Sequence, residues 1–166
     1  VSEAGDVNGD GYGDVVVGAP YDDDAGGNAG AAYLYYGSAV GLDLGTEDKL
    51  TASDGDNNDL FGACVAGAGD LDNDGYDDLI IGAFQDDDTA TNSGAAYVFY
   101  GTASGIDAAS EDKLIASDGA ATDYFGQTVA GSGDLDGDGY ADVLVTAHYD
   151  DDDGTNSGSV YVYYGS

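Results

Sequence analysis

Every 64 residues this chain repeats itself. Asp6, Asp70 and Asp134 open matching stretches, and Gly5-Asp6-Val7-Asn8-Gly9-Asp10-Gly11-Tyr12-Gly13-Asp14 returns at 69–78 and again at 133–142. Further on, Gly30-Ala31-Ala32-Tyr33-Leu34-Tyr35-Tyr36-Gly37 returns at 94–101 and 158–165. A third block, opening with Glu47-Asp48-Lys49-Leu50 and closing with Ala52-Ser53-Asp54-Gly55, returns once, at 111–119. A unit of this length is one supersecondary element, which hides its apolar face only by stacking on its neighbours.

Within each unit the apolar runs are short, β-branched or aromatic, and bounded by Gly and Asp, which predicts strands and no helix. The second unit shows four. Phe61-Gly62-Ala63-Cys64-Val65-Ala66-Gly67 is small enough for a crowded place beside other backbones. Asp78-Leu79-Ile80-Ile81-Gly82-Ala83 is a continuous apolar run, as in a strand buried on both faces. Ala96-Tyr97-Val98-Phe99-Tyr100 brings aromatics that pack between sheets. Lys113-Leu114-Ile115-Ala116-Ser117 is short and flanked by charge, as an outer edge requires.

Four antiparallel strands graded in this way make a propeller blade, so the predicted fold is all-β, with three incomplete blades. A β-solenoid would use shorter coils without long Asp-rich insertions. Residues 1–38 are read as blade 1 with an incomplete start. Residues 39–102 supply the fourth strand of blade 1 and three strands of blade 2, and residues 103–166 supply the fourth strand of blade 2 and blade 3 without its own fourth strand. Open faces and unpaired edges invite association. The chain is therefore expected to belong to a longer repeat protein or to assemble with further copies of itself.

Between the first and second strands of every unit lies Asp-x-Asp/Asn-x-Asp-Gly-x-x-Asp. The candidate metal ligands are Asp6, Asn8, Asp10, the Tyr12 carbonyl and Asp14 in the first copy. They are Asp70, Asp72, Asp74, the Tyr76 carbonyl and Asp78 in the second, and Asp134, Asp136, Asp138, the Tyr140 carbonyl and Asp142 in the third. Oxygen ligands at alternating positions let a tightly curled backbone aim several carboxylates at one hard cation. Gly11, Gly75 and Gly139 stand where the chain must turn sharply. An EF-hand would need a Glu at loop position 12, but Val17, Ile81 and Val145 stand there, so the ninth-position Asp must close the site. No His or Cys lies in any loop, which disfavours zinc, and magnesium seldom uses an all-protein cage. Calcium is the expected ion at all three loops.

The acidic balance narrows the partners. A net charge of −32 with only Lys49 and Lys113 as cationic side chains cannot build a phosphate-tracking surface, so nucleic acid is excluded as a partner. No apolar run approaches ~18 residues, so no membrane insertion is expected. A single cysteine, Cys64, excludes an intrachain disulfide.

Phe61-Gly62 and Phe125-Gly126, each followed by a Val-Ala-Gly, then the acidic loop, then Val17-Gly18-Ala19-Pro20 or Ile81-Gly82-Ala83-Phe84, resemble the FG-GAP repeat of integrin α-subunit propellers. The pattern is also similar to that of bacterial surface proteins built from this repeat. The resemblance implies a seven-bladed propeller with structural calcium in the loops of one face and ligand recognition on the other. The first unit lacks its Phe-Gly, the third reads Val145-Thr146-Ala147-His148, and three units fall short of seven.

A second acidic feature joins strands two and three: Asp22, Asp23 and Asp24; Asp86, Asp87 and Asp88; Asp150, Asp151, Asp152 and Asp153. Strand alternation places these on the face opposite the calcium loops, with the Asp54 and Asp118 turns. They read as a solvated acidic rim, or as a second, weaker set of cation sites. Lys49 and Lys113 follow Glu-Asp and read as local charge compensation. His148 replaces Pro20 and Phe84 of the other units and reads as a strand-end variation, while Cys64 aligns with Thr128 as a small side chain.

The function expected from these readings is an extracellular or cell-surface, calcium-binding module for adhesion or scaffolding. Its partner would be a protein or glycan ligand, or further copies of itself. The alternative is a lectin-like propeller. A hydrolase or lyase fits less well, because a catalytic site is a single asymmetric constellation and here nearly every notable residue occurs three times.

Overall fold

The computed structural model describes residues 1–166 as eleven β-strands with no helix. The strands are β1 (Ser2–Gly5), β2 (Asp14–Ala19), β3 (Ala31–Tyr35), β4 (Glu47–Leu50), β5 (Cys64–Gly69), β6 (Asp78–Ala83), β7 (Ala95–Phe99), β8 (Glu111–Leu114), β9 (Phe125–Gly133), β10 (Asp142–Ala147) and β11 (Ser159–Tyr164). They form three antiparallel meanders in chain order: β1 to β4, β5 to β8, and β9 to β11. These are propeller blades. The innermost strands β1, β5 and β9 lie side by side. Gly67 is pressed against the Glu3 and Ala4 backbone, and Gly131 against Gly67 and Ala68, which is why this strand is built from small residues.

The middle blade is sandwiched between its neighbours, so β6 and β7 are buried along their whole length. Period-two alternation divides their side chains between two cores. Leu79, Ile81, Tyr97 and Phe99 join Val16, Leu34 and Leu50 of the first blade. Ile80, Ala96 and Val98 join Val129, Val143 and Val145 of the third.

Each Phe-Gly pair works at a blade junction. Phe61 makes edge-on contacts with Tyr97 (5.5 Å between ring centres) and Phe99 (6.0 Å), and Phe125 does the same with Tyr161 and Tyr163. Burying such a ring is worth about 2–3 kcal/mol, with a further ~1 kcal/mol from the edge-to-face geometry. The glycine has a different task. Phe61 pairs in parallel with Gly30 of the preceding blade, and Gly62 comes so close that a Cβ on Gly18 would overlap the Gly62 carbonyl oxygen. Gly82 meets Gly126 in the same way at the second junction. The Gly of Phe-Gly and the Gly of Val-Gly-Ala or Ile-Gly-Ala are therefore two halves of one contact.

Three strands of the middle blade have bounds that differ from the sequence expectation, the third by one residue at each end (Ala95–Phe99 and not 96–100). The fourth strand of the middle blade runs over Glu111–Leu114 and not 113–117, because its charged residues have partners: Glu111 accepts the Ser53 amide and Asp112 accepts the Tyr100 hydroxyl. The first strand begins at Cys64 and not Phe61, because the chain turns at Gly62, whose φ is 85°.

Candidate metal centres

All three acidic loops curl in the same way because their side chains bind their own backbone. In the second loop, Asp70 accepts the amides of Asp74 (3.0 Å) and Gly75 (2.9 Å), Asp72 accepts that of Asp74 (3.2 Å), and Asp74 accepts that of Tyr76 (3.0 Å). Asp6, Asn8 and Asp10 repeat this pattern in the first loop, and Asp134, Asp136 and Asp138 in the third. The closing aspartate differs from the rest. Asp78 is buried at the start of β6, with one oxygen accepting the Leu71 amide (2.7 Å) and the other the Gly101 amide (2.8 Å). Asp14 and Asp142 make the equivalent pairs with Val7 and Gly37, and with Leu135 and Gly165.

Carboxylate oxygens of Asp70, Asp72 and Asp78 lie within 4.8 Å of one another, as do those of Asp134, Asp136 and Asp142. Asn8 replaces the middle carboxylate in the first loop. Asp74 and Asp138 fall outside these triads, their carboxylates turned to the Tyr76 and Tyr140 amides. Burial pushes Asp78 up to about 7, aided by the charges of Asp72 and Asp70 and opposed by the Gly101 and Leu71 amides. Burial likewise raises Asp14 and Asp72. Neither lysine reaches these loops. An all-oxygen donor set with too much negative charge for its surroundings fits a hard divalent cation.

The loops are also coupled across a junction. Asp77 accepts the Asp6 amide at 2.7 Å while its own amide binds the Asp6 carbonyl (3.2 Å). The matching position in the third unit is Ala141, which keeps only the backbone bond, to the Asp70 carbonyl (2.9 Å).

At the opposite end of the blades the acidic clusters are organised around ammonium groups. Lys113 reaches Asp54 (2.8 Å), Asp86 (2.8 Å) and Asp88 (2.7 Å), and Tyr97 donates its hydroxyl to Asp54 or Asp86, both at 2.8 Å. Lys49 reaches Asp22 (2.8 Å) and Asp24 (2.7 Å), with Tyr33 donating to Asp22. The bond from Lys49 lowers Asp22 to about 2. Asp54, Asp86 and Asp88 are close enough to share an ion, but the cation among them is the chain's own. Compensation of Lys49 and Lys113 by the adjacent Glu-Asp is thus corrected: a strand side chain points across the sheet and not along it. The signal was in the sequence, as Asp and Tyr recur 11 residues apart and Asp and Lys 27 apart.

His148 follows β10 and packs against Tyr149 (4.1 Å between ring centres) and Tyr124 (6.0 Å). Cys64 is half-buried, and its sulfur faces the Val129 backbone of the next blade.

Comparison with known proteins matches the FG-GAP repeat at residues 44–99 and 109–163, and a second FG-GAP repeat pattern at residues 3–35. Integrin alpha-6 of Gallus gallus is 34% identical over 144 residues, which cover 84% of this chain and 12% of that protein. Integrin alpha-4 of Xenopus laevis is 35% identical over 153 residues, covering 89% of this chain and 14% of that protein. Integrin alpha-6 of Homo sapiens is 34% identical over 140 residues, covering 84% and 11%. The chain thus spans a small part of the length of these relatives. Because the repeat pattern runs through all three blades and the Phe-Gly and Gly-Ala halves meet at each junction, the chain belongs to the FG-GAP repeat family of integrin-α-like β-propeller proteins.

Proposed function

We propose that this chain is a calcium-stabilised binding module of an extracellular or cell-surface protein, used for adhesion or scaffolding and not for catalysis. The observation that carries this reading is the convergence of Asp70, Asp72 and Asp78, repeated as Asp134, Asp136 and Asp142, on loops with no cation of their own. The ligand sets are those of the sequence pattern: Asp6, Asn8, Asp10, Tyr12 and Asp14, and their equivalents in the other two loops, with the three tyrosines acting through their carbonyls. Bound calcium would offset two of the three or four negative charges of each loop. The residues around it do the rest: Asp14, Asp78 and Asp142 tie the loop to the segment after the third strand, and Asp77 ties the first loop to the second blade. The outcome is a stiff set of blade edges on which a protein partner can be recognised.

Titration calorimetry tests this. The expected result is three calcium equivalents with Kd of about 10⁻⁴ to 10⁻³ M, as extracellular modules show. Absence of calcium binding at millimolar concentration would overturn it. A carbohydrate-binding reading has one observation in its favour, the cluster of Tyr124, His148 and Tyr149 at the edge of the third blade, where a sugar ring could stack. Binding on a glycan array that is lost in Tyr149→Ala would favour it.

A further inference from the structure

The first and second acidic loops meet at a junction between two blades, and two residues standing directly before the closing Asp78 make the contact: Tyr76 and Asp77. The Asp77 carboxylate accepts the Asp6 amide at 2.7 Å, and the Asp77 amide donates to the Asp6 carbonyl at 3.2 Å. Asp6 is thereby gripped through its backbone while its own carboxylate gathers the Asp10 (3.0 Å) and Gly11 (2.8 Å) amides. The Tyr76 ring lies against Gly9, between the candidate ligands Asn8 and Asp10, so closely that a Cβ on Gly9 would come within 2.7 Å of it. At the second junction the backbone bond is kept, from the Ala141 amide to the Asp70 carbonyl (2.9 Å). Ala141, however, offers no carboxylate to the Asp70 amide, and Asn73, with a side chain, stands where Gly9 stands. Charge follows the same pairing. The first loop carries Asn8 where the others carry Asp72 and Asp136, so its own sequence gives it three carboxylates and the others four. Asp77 brings the fourth from the next blade.

On the calcium reading above, we infer that Asp77 is a positioning residue of the first metal centre, supplied by the neighbouring blade, and that it couples filling of the first loop to filling of the second. Groups that hold and orient ligands tune metal affinity, and so does the number of charges in a calcium loop. Asp77 does both for the first loop without being one of its ligands. Its backbone meanwhile belongs to the second loop, between Tyr76 and Asp78, so ordering of that turn when the second loop fills also orders the carboxylate that braces Asp6. By linkage the effect is reciprocal, and the first loop favours the second by the same factor. Between the second and third loops Ala141 leaves only the backbone bond, and the coupling there is weaker.

Calcium titration of the isotope-labelled 166-residue chain followed by NMR reads each loop separately, because the Gly11, Gly75 and Gly139 amides each donate to the first aspartate of their own loop. Asp77→Ala should weaken calcium at Gly11 about tenfold, as loss of a ligand's support does, and leave Gly139 unchanged. A tie that served stability alone would not separate these two amides. Asp72→Ala, which disables the second loop, should weaken calcium at Gly11 about fivefold, and in the Asp77→Ala background should weaken it no further. Ala141→Asp copies the tie onto the second junction and should tighten calcium at Gly75 severalfold. Affinity at Gly11 that is indifferent to Asp77→Ala or to Asp72→Ala would overturn the coupling and leave the calcium reading standing. Where either of these variants loses its fold, Ala141→Asp decides, and unchanged affinity at Gly75 overturns the coupling. A lack of response to millimolar calcium at all three glycines would overturn both the calcium reading and the coupling.

Discussion

The two ends of each blade solve one electrostatic problem in opposite ways. At the end that joins the first and second strands, carboxylates converge on backbone amides, and burial pushes Asp78 up to about 7. At the other end they converge on Lys49 or Lys113, and Asp22 is driven well below its usual range. One end has no cationic side chain within reach, and the other encodes its counter-charge. A chain with a net charge of −32 can stay compact only where such neutralisation is local. The difference also separates what solvent conditions can control from what only a mutation can.

The sharpest way to break this comparison is to remove divalent ions. At a hundredfold excess of calcium over Kd each site adds about 2.7 kcal/mol, and 1 kcal/mol is worth about 2–4 °C in a domain of this size, so chelation should lower Tm by roughly 20 °C. Scanning calorimetry with and without chelator reads this, and an unchanged Tm would show that the loops need no ion. Next in size is Asp78→Asn. It removes a charge from the second loop and sets an amide N–H₂ against the Leu71 or Gly101 N–H, at a cost of about 3 kcal/mol by denaturant titration. It should also abolish one calcium equivalent.

At the encoded end, Lys113→Met should cost about 2 kcal/mol, because it leaves three carboxylates facing each other, one of them buried. Lys49→Met should cost about 1 kcal/mol, since Lys49 faces two carboxylates, one of them well exposed. Chelator should leave both differences unchanged, and a calcium-dependent cost would erase the distinction between the ends. The smallest contrast pairs Asp74→Ala with Asp87→Ala. The first removes a loop acceptor for the Tyr76 amide and should cost about 1 kcal/mol in chelator and more in calcium, Asp74 being also a proposed ligand, while the second alters an exposed side chain and should stay within about 0.5 kcal/mol.

The repeat spacing and the grading of strands made the blades legible, and β6 lies where its sequence was bracketed, from Asp78 to Ala83. What stayed hidden depends on partners far along the chain. Glu111 belongs to β8 because of Ser53, 58 residues earlier, and Lys113 finds Asp54 over 59 residues. Composition around Glu111 shows only a charged flank, so the strand was placed two residues late. The loop pattern singled out Asp78 as a ligand but not as the tie to Gly101, because local spacing says nothing of a donor 23 residues away. Period-two reasoning would have sent Lys49 and Lys113 across the sheet. Their nearest sequence neighbours were acidic as well, and these offered a nearer but wrong partner.

The glycine contacts at the junctions bear on how such a chain changes its length over generations. Gly18 closes one unit's contribution and Gly62 opens the next, and Gly82 with Gly126 repeats the arrangement. The first two units carry the socket and the second and third the matching plug, so the two seams are the same and a further copy of the second unit could be inserted without redesign, whereas Thr146 stands where a third socket would need its glycine. Recombination between copies can add or delete whole units of 64 residues and leave each seam intact. A crossover out of that frame would bring a residue with a Cβ against the opposing carbonyl and force the blades apart. The seam thus acts as a reading frame at the level of tertiary structure, in which the array grows by integers.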